Sequence, residues 1–491
     1  MKLLYNAKFY TMKREKGFVK AVLINNDKIV DTFEDVPVIS GVENIDLNGA
    51  FVLPGFIDTH THSFEGGLYS LSANLKDVKS LHDVFDILKT TKAISGKYFA
   101  FHFDENLIKE QRFPTISELD SVFPDKPLIL RRVDGHSCVI NSFAARKIFS
   151  NNKKPKDFDG HLKAEWNNLA TNWFHKNLDD ESIIKAYQKA SDIAIKSGHT
   201  TIHTMVRKGH SNPKIFELIR KNVTQFAIDF ILYPQIIDVD VALQLNSPRV
   251  GGCILSDGSF GSHTAALLEP YADKPSTKGN LYHSNDFWEK FVTKAHNNNL
   301  QIAIHAIGDA AITQITNIYD RVQKREFKDL SHQVIHNELT SNEMLDIIAR
   351  NKISAVMQPM FDRLWAIPKG LYEKRLGSER AKRTNRFKSI LQRNILLTGG
   401  SDWYITELDA IGGIDAATKM HNIDESISTF EAVKMYTSNA AKLSFDENKI
   451  GRIGKNMQAD MVVLDKDIFE IEDINSVKVS NVIKSGKFTK P

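Results

Sequence analysis

The sequence predicts an α/β fold: a (β/α)8 TIM-type barrel with an inserted α/β subdomain, and a small β-sandwich domain formed from both termini. Two observations lead to this prediction. Apolar strand-like runs alternate with helical patterns through the middle of the chain, and both ends are dense in short strand-like runs separated by turn residues. The chain has 491 residues, a length that suits one large domain and a smaller one.

Eight strand-like runs make up the predicted barrel. The first begins near Ala50 and ends on His60 and His62, and helical patterns such as 310–325 and 341–348 follow several of the later runs. The other seven strands are predicted at 200–203, 226–232, 252–255, 300–305, 333–336, 353–357 and 395–398. Eight units of a strand and a helix are the number that closes a TIM-type barrel.

The predicted domains follow from this order. Two further strand-like runs, 98–103 and 128–133, fall between the first and second barrel strands. We therefore predict an insertion at about residues 65–190 within a barrel at 55–439. Each terminus alone is too small to bury a core, so residues 1–54 and 440–491 are predicted to form one β-sandwich domain together.

The composition is that of an ordinary globular protein. Lys and Arg number 64 against 60 Asp and Glu, and the net charge of +4 gives no reason to expect nucleic acid or a membrane as a partner. No apolar run approaches the roughly 18 residues of a membrane span, and polar residues interrupt the N-terminus before a signal-peptide core can form. The two cysteines, Cys138 and Cys253, do not resemble a disulfide framework. We expect a cytoplasmic protein in a reducing compartment.

Ionisable side chains collect where the predicted strands end. His60 and His62 are spaced i, i+2 at the end of a strand, which puts both imidazoles on one face. His305, His336 and Asp402 end three later strands. The carboxyl ends of barrel strands meet on one face, and neutral imidazole is a common divalent-metal ligand. The pattern therefore predicts a metal site rather than isolated core histidines.

Several longer motifs occur in order around these positions. They are Pro54-Gly55-Phe56-Ile57-Asp58 before His60, Asp134-Gly135-His136, Asp257-Gly258-Ser259-Phe260-Gly261-Ser262, His305-Ala306-Ile307-Gly308-Asp309-Ala310-Ala311, Gln358-Pro359 and Gly400-Ser401-Asp402. Together they resemble the amidohydrolase superfamily of metal-dependent hydrolases, and more narrowly its YtcJ-like (amidohydrolase 3) family, which includes N-substituted formamide deformylases. The resemblance runs nearly end to end.

The resemblance implies a role for each residue at a strand end. His60 and His62 would hold the more buried metal, and His305 and His336 would hold the more exposed one. Asp402 would contact the first metal and the nucleophilic water, whose proton it would take. The expected cofactor is zinc, bound as one or two divalent ions.

Cys253 is the sharpest departure from the family pattern. In the binuclear form of the superfamily a carboxylated lysine bridges the metals, and in YtcJ-like sequences it lies four residues before the aspartate of Asp-Gly-Ser. Counting back from Asp257 gives Cys253, and no lysine occurs between Arg249 and Asp273. A thiolate is a soft anionic ligand that suits zinc, so we favour a binuclear site bridged by Cys253. In the alternative, Cys253 is a small buried hydrophobe and one metal binds.

Residues predicted to contact the substrate come from the insertion and from the barrel. The predicted substrate-binding residues are Asp134, His136, His203, Asp257, His263 and Trp403. The resemblance implies that Asp134 and His136 lie near the substrate. A structural role is the alternative for His203 and for His263, which stands where relatives often have arginine. Ile335 is another departure, because many relatives carry glutamate directly before the histidine that corresponds to His336.

The predicted function is hydrolysis of a C–N bond in a non-peptide amide or formamide-type small molecule, through a metal-activated water. Two alternatives remain open. One is hydrolysis of an ester or lactone, or deamination of a ring amine, at the same site. The other is a metal-free scaffold protein, against which the polar cluster argues because burying such groups is costly. A homodimer is expected by analogy.

Overall fold

The computed structural model describes residues 1–133, 137–150, 154–155, 157–176, 178–207 and 213–489. The chain divides into two compact units. Unit 1 comprises Met1–His62, Ser191–Arg207 and Phe226–Pro491, and unit 2 comprises Ser63–Ala190 and Lys208–Gln225. The stretch predicted as an insertion, about 65–190, falls within unit 2.

Twenty strands lie in the described part of the chain. They are β1 (Lys2–Tyr10), β2 (Phe18–Asn25), β3 (Lys28–Phe33), β4 (Glu43–Pro54), β5 (Phe56–Thr61), β6 (Ala73–Asn74), β7 (Tyr98–Phe103), β8 (Leu128–Arg132), β9 (Ser137–Ile140), β10 (His161–Lys163), β11 (His199–Arg207), β12 (Asp229–Gln235), β13 (Arg249–Leu255), β14 (Gln301–Ala306), β15 (Gln333–His336), β16 (Ser354–Met357), β17 (Leu397–Gly399), β18 (Met461–Leu464), β19 (Val479–Lys484) and β20 (Lys487–Thr489).

Eighteen α-helices lie in the same ranges. They are α1 (Ser63–Ser70), α2 (Leu81–Thr90), α3 (Ile116–Val122), α4 (Ser142–Ile148), α5 (Ala164–Lys176), α6 (Asp180–Lys196), α7 (Pro213–Lys221), α8 (Val239–Gln244), α9 (Asn285–Asn297), α10 (Asp309–Arg325), α11 (Asn342–Arg350), α12 (Pro359–Trp365), α13 (Leu371–Leu376), α14 (Ser378–Ala381), α15 (Phe387–Gln392), α16 (Ala410–Thr418), α17 (Thr429–Met435) and α18 (Ser438–Leu443). None of these helices is long and apolar enough to cross a membrane.

Both termini contribute to one seven-stranded sheet in unit 1. Its strand order is β20-β19-β18-β4-β1-β2-β3, so the C-terminal strands join the N-terminal strands through the antiparallel pair β18 and β4. Asn26, with a φ of 52°, lies in the tight turn between β2 and β3, as expected of an asparagine in a hairpin. Leu4, Val22, Met461 and Ile483 belong to one apolar cluster on this sheet, which the two ends of the chain bury together.

Eight parallel strands in two sheets lie between these ends in unit 1. One sheet has the order β12-β11-β5 and the other has the order β13-β14-β15-β16-β17. Side-chain hydrogen bonds connect the two sheets at both edges. Between β12 and β13, the Gln235 Nε2–H donates to the Cys253 carbonyl oxygen (2.6 Å). Between β5 and β17, the Thr59 hydroxyl donates to the Gly399 carbonyl oxygen (2.9 Å). Strands buried on both faces have continuous apolar sequences, which is why these runs were predictable.

The strand positions differ from the prediction at starts and ends alike; β11, for example, was predicted to end at 203 and ends at Arg207. β15 occupies the predicted residues 333–336, whereas β12 begins at Asp229 rather than at 226. The residues before β12 form a short 3₁₀ helix at Val223–Gln225 and then a bend, so the extended strand cannot begin at 226.

Unit 2 contains a separate five-stranded sheet with the order β10-β9-β8-β7-β6. Its apolar cluster includes Val84 and Leu88 of α2, Leu119 of α3, and Leu128 and Leu130 of β8. The helices α2 and α3 each begin with a capping box, in which Ser80 and Thr115 respectively cap the first turn. Unit 2 therefore combines a sheet and helices around its own core.

Candidate metal centre

Six ionisable side chains converge at the carboxyl ends of the parallel strands in unit 1. His60 lies in β5 and His62 immediately follows that strand. The other four lie on three more strands and one loop: Cys253 in β13, His305 in β14, His336 at the end of β15, and Asp402 three residues beyond β17. The carboxyl ends of parallel strands meet at one edge, and so residues distant in sequence lie side by side.

The ligand atoms of these residues form three overlapping groups, and within each group all the atoms lie within 4.8 Å of one another. The groups are His60, His62 and Cys253; Cys253, His305 and His336; and His60, His336 and Asp402. Cys253 belongs to two groups that share no histidine. The thiol therefore lies between two pairs of imidazoles, which is the position a bridging ligand occupies.

The donor atoms fit a metal ion. His60 Nδ1 and Nε2, His305 Nδ1 and Asp402 Oδ1 are buried and have no hydrogen-bond partner in the described part of the chain. Asp402 Oδ1 lies only 3.2 Å from His60 Nε2 and 3.1 Å from His62 Nε2. Imidazole, thiolate and carboxylate together make a ligand set typical of zinc. Converging polar atoms without mutual hydrogen bonds indicate a shared cation.

Neighbouring groups fix the tautomers of two of the histidines. His336 donates its Nδ1–H to Gln358 Oε1 (2.6 Å), which leaves Nε2 as the atom with a lone pair. His305 donates its Nε2–H to the Gly258 carbonyl oxygen (3.1 Å), which leaves Nδ1 as the nitrogen with a lone pair. Such contacts orient metal-binding histidines and strengthen them as ligands.

A bulge in β13 directs Cys253 into the centre. The register with β14 shifts between Gly251 and Ile254, and Gly251 and Gly252 both have a φ of +98°. A Cβ on Gly251 would lie 2.2 Å from the Ala303 carbonyl oxygen, so no other residue fits there. Bulges of this kind change the direction of a side chain beside a site.

Asp58 joins the His60 strand to the segment that carries Asp402. Its Oδ1 accepts the backbone N–H of His60 and its Oδ2 accepts that of Ser401, both at 2.9 Å. The Asp402 N–H in turn donates to the His60 carbonyl oxygen (2.9 Å). Burial raises the pKa of Asp58 to about 7 against these hydrogen bonds. Asp58 thus positions two candidate ligands without facing the pocket.

The charges of the cluster reinforce one another. Burial alone would raise the pKa of the Cys253 thiol, but the surrounding histidines outweigh it and hold that pKa well below its usual value. Burial lowers the pKa of His62 and His305, but nearby anionic groups outweigh it and raise both pKa values. These groups are Asp402 and the thiol for His62, and Asp257 and the thiol for His305. A low thiol pKa favours the thiolate, which is the form that binds metals.

A cavity of about 340 Å³ opens onto these residues. We call it the apolar pocket, and its lining residues are His62, Cys253, Leu255, Ser259, Phe260, Gly261, His305, Ile307, His336, Glu338, Phe361, Trp365, Leu371, Tyr372, Asp402 and Ile405. Phe361 stacks on His336 with ring centroids 5.7 Å apart. No lysine or arginine lines the pocket in the described part of the chain. The pocket therefore favours apolar ligands.

Sequence reasoning missed one acidic residue of the pocket wall. Glu338 follows β15, is 2% exposed, and accepts a hydrogen bond from the Tyr372 hydroxyl. Burial raises its pKa to about 8 in spite of this bond. A glutamate two residues beyond the strand-end His336 was the available signal, but nothing in the sequence pairs it with Tyr372 on α13.

Four of the six predicted substrate-binding residues are described, and none of these four lines the apolar pocket. Asp134 and His136 are outside the described residues. His203 is buried and stacks on Tyr233, with its Nδ1 3.4 Å from the Tyr233 hydroxyl. His263 pairs with Asp273 (3.0 Å). Neither histidine lines the apolar pocket; each contacts another protein side chain instead.

Asp257 and Trp403 support the site through the backbone instead of lining it. The buried carboxylate of Asp257 accepts N–H groups from Ala266, Ile307 and Gly308 at 2.8–3.1 Å. These bonds fix the loop that follows His305. The carbonyl oxygen of Trp403 accepts the His62 N–H (2.5 Å), while its side chain is 8% exposed.

Known proteins resemble this chain over nearly its full length. The model of the amidohydrolase family matches residues 43–489. "Putative amidohydrolase YtcJ" of Bacillus subtilis (strain 168) is 27% identical, over 99% of each chain, and "N-substituted formamide deformylase" of Arthrobacter pascens is 21% identical, over 95% of this chain and 93% of that one. The crystal structure of an uncharacterized metal-dependent hydrolase from Pyrococcus furiosus has a TM-score of 0.82 at 27% identity, covering 96% and 100% of the chains. With a family match of this extent and metal-dependent hydrolases among its neighbours, the chain belongs to the amidohydrolase family of hydrolases.

Proposed function

We propose that this chain hydrolyses a C–N bond in a non-peptide amide or formamide-type small molecule. The observation that carries the proposal is the position of Cys253, shared by two groups of candidate metal ligands at the apolar pocket. The name of the Arthrobacter pascens relative, a deformylase of N-substituted formamides, supports the choice of bond.

We further propose that the eight parallel strands of unit 1 close into a (β/α)8 barrel. The hydrogen bonds between β12 and β13 and between β5 and β17 support this closure. For the terminal sheet we propose a two-layer sandwich. Leu3 and Leu4, which are consecutive on β1, belong to different apolar clusters, as expected when both faces of a sheet are covered.

The proposed cofactor is a pair of zinc ions bridged by the Cys253 thiolate. His60 and His62 would hold one ion, and His305 and His336 would hold the other. When bound, such ions supply an acidified water and a Lewis acid for a carbonyl group. A cysteine in this position provides the single negative charge that the carboxylated lysine of related enzymes would provide.

Asp402 is proposed to be the proton carrier. Asp402 lines the apolar pocket and its Oδ1 faces His60 and His62, and the two imidazoles hold the pKa of its carboxyl well below the usual value against burial. An ionised carboxylate at this position accepts a proton from water and returns it to the leaving nitrogen. Phe361 and Trp365 exclude bulk water from the same space.

Release of formate or another carboxylic acid from a panel of amides tests the proposal. We expect the protein, purified without chelators, to hydrolyse N-substituted formamides and to lose this activity in a chelator. Zinc added after removal of the chelator should restore it. Hydrolysis of esters or lactones with no activity on any amide would contradict the choice of bond.

A further inference from the structure

Glu338 is an acidic residue that the proposed metal chemistry does not use. It lines the apolar pocket, yet it is absent from all three groups of candidate ligands found in the described residues. Its neighbours on the pocket wall include Ile307, Phe361 and Trp365. A carboxyl group in such surroundings costs free energy unless it gains polar partners.

Only one oxygen of this carboxyl group has a protein partner among the residues that the structure describes. The Tyr372 hydroxyl donates to Oε2. Tyr372 is itself 2% exposed and packs edge-on against Phe260, so its ring holds the hydroxyl in place. Oε1 receives no hydrogen bond from a described residue, and it is therefore available to a ligand in the pocket.

The rest of the pocket wall limits what that ligand can be. No lysine or arginine lines the pocket in the described ranges, and Asp402 is a second carboxylate there. A ligand group that offers a further acceptor gains no hydrogen bond from these carboxyl oxygens, whereas an N–H group matches the free acceptor.

We propose that Glu338 determines specificity by accepting, at Oε1, the N–H of an uncharged secondary amide whose apolar substituent fills the pocket. This inference rests on the proposed function and adds a substrate class to it. Secondary amides should bind better than their N-methylated forms, which lack the donor.

Binding measurements separate this inference from catalysis. Titration calorimetry on the zinc-loaded, full-length Asp402→Asn protein, in which turnover is expected to be lost, compares N-(2-phenylethyl)formamide with its N-methyl derivative. We expect the secondary formamide to bind about tenfold more tightly, the upper end of the usual effect of one hydrogen bond.

Variants of Glu338 in the same background identify the acceptor. Glu338→Leu should bind both formamides equally, whereas Glu338→Gln, which keeps an acceptor oxygen, should retain part of the preference. Glu343→Gln, an exposed glutamate five residues further on, should retain all of it. A preference that persists in Glu338→Leu, or an Asp402→Asn protein that binds neither formamide or shows no preference, would overturn the inference.

The two proposals fail in different ways. Preferential binding without hydrolysis by the wild-type zinc protein would contradict the proposed function while supporting the role of Glu338. Hydrolysis by the wild-type zinc protein without preferential binding of the secondary formamide would support the proposed function and contradict the role of Glu338.

Discussion

The site depends on individual residues whose protonation is set by their contacts. Gln358 and the Gly258 carbonyl fix which nitrogen of His336 and of His305 carries the proton. Cys253 is buried, and yet its histidine neighbours favour the thiolate. His336 and Asp402 also have positive φ angles, of 71° and 54°, and such backbone strain is typical of functional positions.

The role of Asp402 is tested by Asp402→Asn. The amide keeps the size of the side chain but cannot take a proton from water, so we expect kcat to fall by about 10²–10⁴. The Tm should change by no more than a few degrees, because the backbone bond from Asp402 to His60 remains. Asp424→Asn, an exposed aspartate, is the control and should leave kcat unchanged. Near-normal turnover in Asp402→Asn would contradict the assignment.

Elements of the backbone bring the ligands together, and one such contact is between β5 and the segment after β17. Gly400 is essential to it, because a Cβ there would lie 2.8 Å from the His60 backbone nitrogen and 2.9 Å from the His60 Cβ. Only a residue without a side chain allows this approach.

We therefore expect Gly400→Ala to push β5 and the Asp402 segment apart. Metal affinity should fall by about 10–100-fold, the usual effect of disturbing groups that support ligands. Competition with a zinc-binding dye measures this change. Gly454→Ala, where the nearest atom is 3.8 Å from the new Cβ, should bind metal normally. Unchanged affinity in Gly400→Ala would show that the strands tolerate separation.

A buried histidine pair joins α9 to β14 and makes stability depend on pH. His332 accepts the Ile302 N–H at Nδ1 and therefore donates its Nε2–H to His296 Nδ1 (2.9 Å). His296 then donates its Nε2–H to the Glu326 carbonyl oxygen (2.9 Å). This chain of bonds requires both rings to be neutral.

Burial lowers the pKa of His332 to about 3, whereas an unfolded imidazole titrates near 6.5. As pH falls between these values the unfolded chain gains a proton that the folded chain does not, so the free energy of unfolding decreases by up to about 1.4 kcal/mol per pH unit. His332→Gln should be less stable than wild type at pH 7.5 but lose less stability between pH 7.5 and 5. Thermal unfolding at both pH values measures this, and an equal loss in both proteins would contradict it.

At the scale of the whole chain, the two termini support the strands that carry the site. β4 of the terminal sheet runs directly into β5, separated only by Gly55. Lys484 of β19 connects the same sheet to the parallel strands, because its Nζ contacts Asp460 (2.7 Å) and Asp229 at the start of β12 (2.8 Å). Asp460 is 3% exposed at its side chain, so it depends on this partner.

Lys484→Met should consequently destabilise unit 1. Removing one partner of a buried ion pair leaves the Asp460 carboxylate unpaired, which usually costs about 3–5 kcal/mol. Asp229→Asn removes a half-exposed partner and should cost about 1 kcal/mol or less. Denaturant unfolding of both variants measures the difference, and similar small effects would show that Asp460 finds another partner.

The sequence was most informative where chemistry follows strand ends. His305, His336 and Asp402 were predictable because a buried apolar run precedes each of them. Glu338 and Tyr372 were not, since they lie 34 residues apart and meet only through the packing of α13. His203 was predicted to contact substrate because the predicted second barrel strand ends on it, but β11 continues to Arg207. The stacking of His203 on Tyr233 depends on a neighbouring strand, which no local pattern encodes.

The central claim is that Cys253 bridges two metal ions. The most direct measurement is metal content per chain by elemental analysis of wild type, Cys253→Ala and Cys138→Ala, all purified without chelators. We predict about two zinc equivalents in wild type and in Cys138→Ala, whose buried cysteine lies in unit 2, and one or none in Cys253→Ala. One equivalent in wild type that is unchanged in Cys253→Ala, or two equivalents in both, would contradict the bridge.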